Sequence, residues 1–88
     1  MRWDKQKAAE NIIKHGIKFS DVEPIFYDPS AITVEDQLSE SEQRFVTIGR
    51  DGFDRVLVVI YAIENDDIRL ISARKASPGE VKDYEKRN

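Results

Sequence analysis

The sequence has no cysteine, one histidine, three prolines and four glycines in 88 residues. Without cysteine there is no disulfide framework, no thiolate metal site and no cysteine nucleophile. A lone histidine cannot supply a His-rich zinc site, so neither a metal nor a cofactor is expected. No Gly/Ser/Pro-rich linker, repeat or low-complexity stretch divides the chain, which reads as one domain over residues 1–88. The longest apolar run, residues 56–63, is eight residues long, against the roughly 20 that a membrane-spanning helix needs. The first sixteen residues, MRWDKQKAAENIIKHG, have neither the apolar centre nor the small-residue cleavage site of a secretory signal. A cytoplasmic protein is expected.

What is present is charge. Hydrophobic residues make up 40% and charged residues 35% of the chain, with a net charge of −3 and a pI near 5.1. A single acidic number argues against a nucleic-acid-binding surface, whose usual footprint is basic. Its distribution tells more. Residues 1–19 sum to +3, residues 20–54 to −7 and residues 55–88 to +1. The acid excess lies entirely in the middle third, so a local positive surface is compatible with an acidic chain. The plain alternative is that these runs are solvated faces.

Caps and periodicity define an α+β chain in the order α-α-β-β-β-β-α. A first helix over residues 4–15 starts on Asp4 as N-cap and ends before Gly16, which suits a left-handed C′ position. Its apolar stripe pairs Ala8 with Ile12 and Ala9 with Ile13. Ser20 and Glu23 read as a capping box for a short second helix bearing Val22, Ile25 and Phe26, although Pro24 disfavours α geometry at Glu23. Strands follow over residues 31–35, 42–50, 55–63 and 68–75. Asp51-Gly52 is a hairpin signal and residues 65–67 form the next turn. The third strand is apolar on both faces and so central. Ser77, Pro78 and Glu80 occupy the N-cap, N1 and N3 positions of a final helix. The result is an antiparallel meander with helices packed on it.

Three arginines stand out because Arg44, Arg69 and Arg74 lie inside strands, where β-branched and aromatic residues are favoured. A guanidinium fork matches a phosphate bidentately; the alternative is that each pairs with a nearby carboxylate such as Glu42. Arg69 and Arg74 are five positions apart and take opposite faces of a regular strand, so they share a site only across a bulge or strand end. His15 carries the chain's one imidazole, a group suited to general acid or base work, but is equally placed to cap its helix. Tyr84 can stack or donate a proton, or be a core aromatic. These residue types suit metal-free RNA cleavage, which needs a base for the 2′-OH, cations for the charge on phosphorus and an acid for the leaving oxygen.

The chain resembles the BrnT family of bacterial type II toxin–antitoxin toxins. The matching stretches are Trp3-Asp4 with Lys7 and Asn11; Lys14-His15-Gly16 followed by Phe19; Phe26-x-Asp28-Pro29; Glu42-x-Arg44-Phe45 leading to Ile48-Gly49; residues 68–74, IRLISAR; and Glu80 with Tyr84. No one of them is specific, but the ordered set covers almost the whole chain. The resemblance implies a RelE-like fold with a mostly antiparallel four-stranded sheet. It implies a ribonuclease toxin that blocks translation, neutralised by a ribbon-helix-helix antitoxin (BrnA-like). Two toxins and two antitoxins would form a heterotetramer that touches operator DNA only through the antitoxin. Carried onto this sequence, it implies a catalytic set of His15, Glu42, Arg44, Arg74 and Tyr84, with Lys14, Arg69 and Lys75 binding substrate. The arginines would clamp phosphate, His15 or Glu42 would act as base and Tyr84 as acid. Two positions depart from the family: Val81 stands where an arginine often follows the glutamate, and Pro24 interrupts the second helix. The competing expectation is a degenerate toxin, a non-catalytic module that only tunes repression with its DNA-binding partner.

Overall fold

The computed structural model describes residues 1–86. Helix α1 spans Lys5–His15. The Asp4 carboxylate accepts the amides of Gln6 at 2.7 Å and Lys7 at 3.2 Å, and Gly16, at φ 70°, donates its N–H to the Ile12 carbonyl. Both caps are those expected.

The buried face of α1 is not. Ile12 and Ile13 are 46% and 85% exposed, and the one buried residue of the helix is Asn11. The reason lies in what the helix meets. Strand β4 is a sheet edge, and its backbone needs hydrogen bonds more than apolar cover. The Asn11 amide donates to the carbonyls of Ala73 and Ile17, at 2.8 and 2.9 Å, and accepts the Ala73 N–H at 3.1 Å. One polar side chain thus satisfies the edge at Ala73 and fixes the helix to it.

The second helix expected from the capping box is replaced by two 3₁₀ turns, Phe19–Asp21 and Glu23–Tyr27, with no side-chain cap on either. Pro24 has no N–H and its ring obstructs the α ladder. The segment therefore closes i→i+3 bonds, Ile25 to Val22 at 3.0 Å and Asp28 to Ile25 at 3.2 Å. Ile17, Phe19, Val22 and Ile25 are buried here and form the core with the sheet.

The sheet is wholly antiparallel, in the order β1 (Ile32–Asp36), β2 (Arg44–Arg50), β3 (Val56–Glu64), β4 (Asp67–Lys75). The β3–β4 turn places Asn65 and Asp66 at φ 52° and 62°, both left-handed, as a two-residue hairpin requires. The β2–β3 connection is longer than the Asp51-Gly52 signal suggested. The buried Asp51 carboxylate accepts the amides of Phe53 and Arg55, and the left-handed residue is Asp54. An aspartate that ties its own loop outcompetes the tight turn.

Phe45, Thr47, Gly49, Leu57, Val59, Tyr61, Leu70 and Ala73 share the face toward the 3₁₀ layer. Gly49 permits that contact, because a Cβ there would sit 2.7 Å from the Ile25 side chain. Helix α2 (Pro78–Lys86) begins with the expected capping box: Ser77 donates its N–H to Glu80 at 2.8 Å, and Glu80 donates its N–H to the Ser77 hydroxyl at 3.2 Å. No helix among the described residues is long and apolar enough to cross a membrane.

Candidate functional site

The register of β3 against β4 steps from Ile60↔Ser72 to Tyr61↔Leu70. Ile71 is therefore an extra residue without a partner, a β-bulge. Leu70 and Ala73, three apart, both reach the core. Arg69 and Arg74, five apart, both take the opposite face, with Ser72 between them. Arg44 joins that face, because Arg44 and Arg69 flank Ala62 from either side. Ala62 is buried and small, which leaves space above it for the two guanidiniums.

At this end of the face the charges form a chain. Glu42 accepts from Arg44 Nε at 3.2 Å through one oxygen and from Arg69 Nη2 through the other. Glu64 accepts from Arg69 Nε at 3.0 Å and also pairs with Arg2. Arg2 arrives on an N-terminal segment that bridges β4, its N–H donating to Ile68 and its carbonyl accepting from Leu70, both at 2.9 Å. The hydrogen bond from Arg69 holds the Glu42 carboxyl below the usual carboxylate range, against a smaller upward push from burial and with help from Arg44. Glu42 is thus ionised at neutral pH and can only accept a proton. Its contact raises the Arg69 guanidinium in turn.

Arg74 lies opposite Val58, four residues along β3 from Ala62, or roughly 13 Å at about 3.3 Å per residue. Both its terminal nitrogens meet Glu80, at 2.8 and 2.9 Å. The Arg74 hydrogen bonds, followed by the Ser77 amide, hold Glu80 down at about 2. One carboxylate therefore caps α2 and holds a strand arginine.

His15 and Lys14 end α1 beside this face rather than on it. With Lys7 and Asn11 they line a cavity of about 200 Å³ whose β4 wall is Ile71 and Ser72. The bulge thus joins the two groups: Ser72 stands between Arg69 and Arg74 and also borders the α1 groove.

Two residues of the expected set fall elsewhere. Lys75 is exposed opposite Leu57 and takes the other face from Arg74. Tyr84 is buried, and its hydroxyl donates to Asp28 at 2.6 Å. Burial and the Asp28 carboxylate push the Tyr84 phenol up. Burial also pushes Asp28 up, but the Tyr84 hydroxyl and the amides of Arg50 and Ser30 outweigh it and leave the carboxyl lowered. This cluster ties α2 to the end of β2. Lys7, Ser72, Arg2 and Glu64 were not anticipated. Their only sequence signal was place: Ser72 within ISAR, Lys7 two helical turns before Lys14.

Arg44, Arg69 and Arg74 thus share one face of the sheet of a small α+β protein, and a groove bearing Lys7, Lys14 and His15 runs along its edge. Residues 3–80 match the family described as the ribonuclease toxin BrnT of type II toxin–antitoxin systems, and the chain belongs to that family. Its structure is similar to the crystal structure of the Brucella abortus ribonuclease toxin BrnT. The two are 30% identical, the match covers 88% of this chain and 97% of that one, and the TM-score is 0.70. No curated protein matches the sequence. Membership gives the chain a ribonuclease-toxin ancestry and implies an antitoxin partner, and the α+β architecture is that of the Brucella toxin.

Proposed function

We propose that this chain, as a single toxin domain over residues 1–88, cleaves RNA without a metal ion and so inhibits translation in the cytoplasm. We further propose that a ribbon-helix-helix antitoxin neutralises it in a complex of two toxins and two antitoxins. The observation that carries the enzymatic reading is the bulge at Ile71, which sets Arg69 and Arg74 on one face with Arg44, beside Lys14 and His15.

The chemistry is transfer within the RNA strand. The 2′-oxygen attacks the adjacent phosphorus, its proton passes to a base, and the 5′-oxygen leaves with a proton from an acid. The products are a 2′,3′-cyclic phosphate and a free 5′-hydroxyl. Arg44, Arg69 and Arg74 neutralise the charge that builds on the phosphoryl oxygens, a role worth about 10²–10³ in rate for a single donor. Glu42, held ionised between two guanidiniums, is placed to accept the 2′-proton, and His15 in the adjoining groove to return one. Tyr84 contributes by fixing α2 through Asp28, because its raised, engaged hydroxyl suits an anchor better than an acid. Lys14 binds substrate beside His15. Lys75, on the other face, contributes only general positive charge.

Purified protein should cut RNA in EDTA, and His15→Ala, Arg44→Ala and Arg74→Ala should each slow it. RNA left intact by the wild type, with ribosomes present, would overturn the enzymatic reading. One observation favours the second reading, a toxin reduced to a co-repressor: every arginine of the site already has a carboxylate partner. That reading requires tight antitoxin binding with no toxicity on expression.

A further inference from the structure

The basic groove between α1 and the β4 bulge holds a lysine that the reaction above does not use. Lys7 and Lys14 lie seven residues apart, two turns of one helix face, or about 10 Å along its axis. Between them Asn11 turns inward and is consumed by the β4 backbone, so the groove is rigid at its floor and cationic at both ends. Neither lysine makes an ion pair among the described residues. Glu10 also lines the groove but stays outside salt-bridge distance of both. Ser72, shared with the arginine face, makes the two surfaces continuous.

From this geometry we infer that the groove is a second phosphate subsite, seating a neighbouring internucleotide phosphate of the same single RNA strand whose scissile phosphate lies on the arginine face, with Lys7 as its binding residue. The inference rests on the ribonuclease reading. Lys7 acts on how the strand is held and takes no part in bond breaking.

The test uses a short fluorescent 2′-O-methyl RNA, which lacks the attacking hydroxyl and stays intact. Its affinity is measured against salt for wild type, Lys7→Ala, Lys7→Arg, Glu10→Gln and, as a control remote from the groove, Lys86→Ala. Removing one phosphate contact lowers the slope of log affinity on log salt by about 0.7 for a single strand. Lys7→Ala should show that drop with several-fold weaker binding, Lys7→Arg should restore both, and Glu10→Gln should bind more tightly. With a cleavable RNA, Lys7→Ala should raise KM and leave kcat unchanged. A Lys7→Ala protein that matches Lys86→Ala in affinity and slope, while the wild type still cuts RNA, overturns the subsite alone. A wild type that neither binds the probe nor cuts RNA overturns the subsite and the ribonuclease reading together.

Discussion

The arginine face and the α1 groove are both positive, but they hold their charge in different ways. Arg44, Arg69 and Arg74 each lean on Glu42, Glu64 or Glu80. Lys7 and Lys14 have no such partner among the described residues. A phosphate can enter the groove directly, whereas on the arginine face it must displace a carboxylate. Partly exposed pairs of this kind contribute little net stability, so the exchange is cheap, and until it happens the guanidiniums are held in place and shielded. The difference also explains the acidic middle of the chain. Glu42 serves Arg44 and Arg69, Asp51 and Asp21 serve Arg55, and Asp54 serves Arg50. Four of the nine acids in this block thus serve as internal partners for the chain's own arginines.

The sharpest way to break this contrast is Glu42→Gln. It removes the carboxylate shared by Arg44 and Arg69, leaving Arg69 only Glu64, and removes the proposed base, so binding and catalysis should move in opposite directions. RNA affinity should rise while single-turnover cleavage falls by about 10²–10⁴, the usual range for a general base. A parallel fall in both would mean that Glu42 only orders the arginines.

Next in size is the joint between the two regions. Asn11→Ala removes three buried hydrogen bonds, two to the carbonyls of Ile17 and Ala73 and one from the Ala73 N–H, each worth about 0.5–1.5 kcal/mol net. Urea unfolding should show a loss of about 2–4 kcal/mol.

Smaller is the Arg74–Glu80 clamp. Glu80 sits at about 2 in the folded protein against an ordinary 4.5. A lowered folded value adds stability that is complete above pH 4.5 and lost as pH falls from there toward 2. With Arg74 partly exposed the effect is discounted to about 1–2 kcal/mol. The stability difference between wild type and Glu80→Gln, followed by urea unfolding, should be constant near pH 7 and vanish by pH 2.

Smallest is Ile13→Ser on α1. That residue is 85% exposed, so the change should stay within about 0.5 kcal/mol. Ile17→Ala, four residues further along the chain and fully buried, should cost about 2–5 kcal/mol.

The last pair shows what could be read from sequence and what could not. Helix caps are local chemistry, and Asp4, Gly16 and the Ser77–Glu80 box stand where the sequence places them. The same holds for the strand order and for β3 as a strand buried on both faces. The α1 stripe held only at Ala8, which packs against the core, because periodicity assumes that a helix meets an apolar surface, while this one meets a strand edge, to which Asn11 is complementary. The 3₁₀ segment turned on Pro24, a local signal that outweighed the capping box. The candidate site was legible only as residue types, and Arg44, Arg69, Glu42, Arg74, Lys14 and His15 lie on or beside one face. Lys75 and Tyr84 were not gathered with them, because strand parity sends one away and the Asp28 hydrogen bond holds the other. The bulge itself leaves no mark in the residues 70–73, LISA. It is a property of pairing, imposed by the need for Leu70 and Ala73 both to reach the core.

In the proposed reaction the bulge makes Arg69 and Arg74 partners on one face. Single-turnover cleavage of RNA in EDTA by wild type, Arg69→Ala and Arg74→Ala tests it most directly. The wild type should cut, and the two variants should each lose about 10²–10³ in rate with their folds intact. Cleavage that survives the loss of either arginine at the wild-type rate would contradict that partnership.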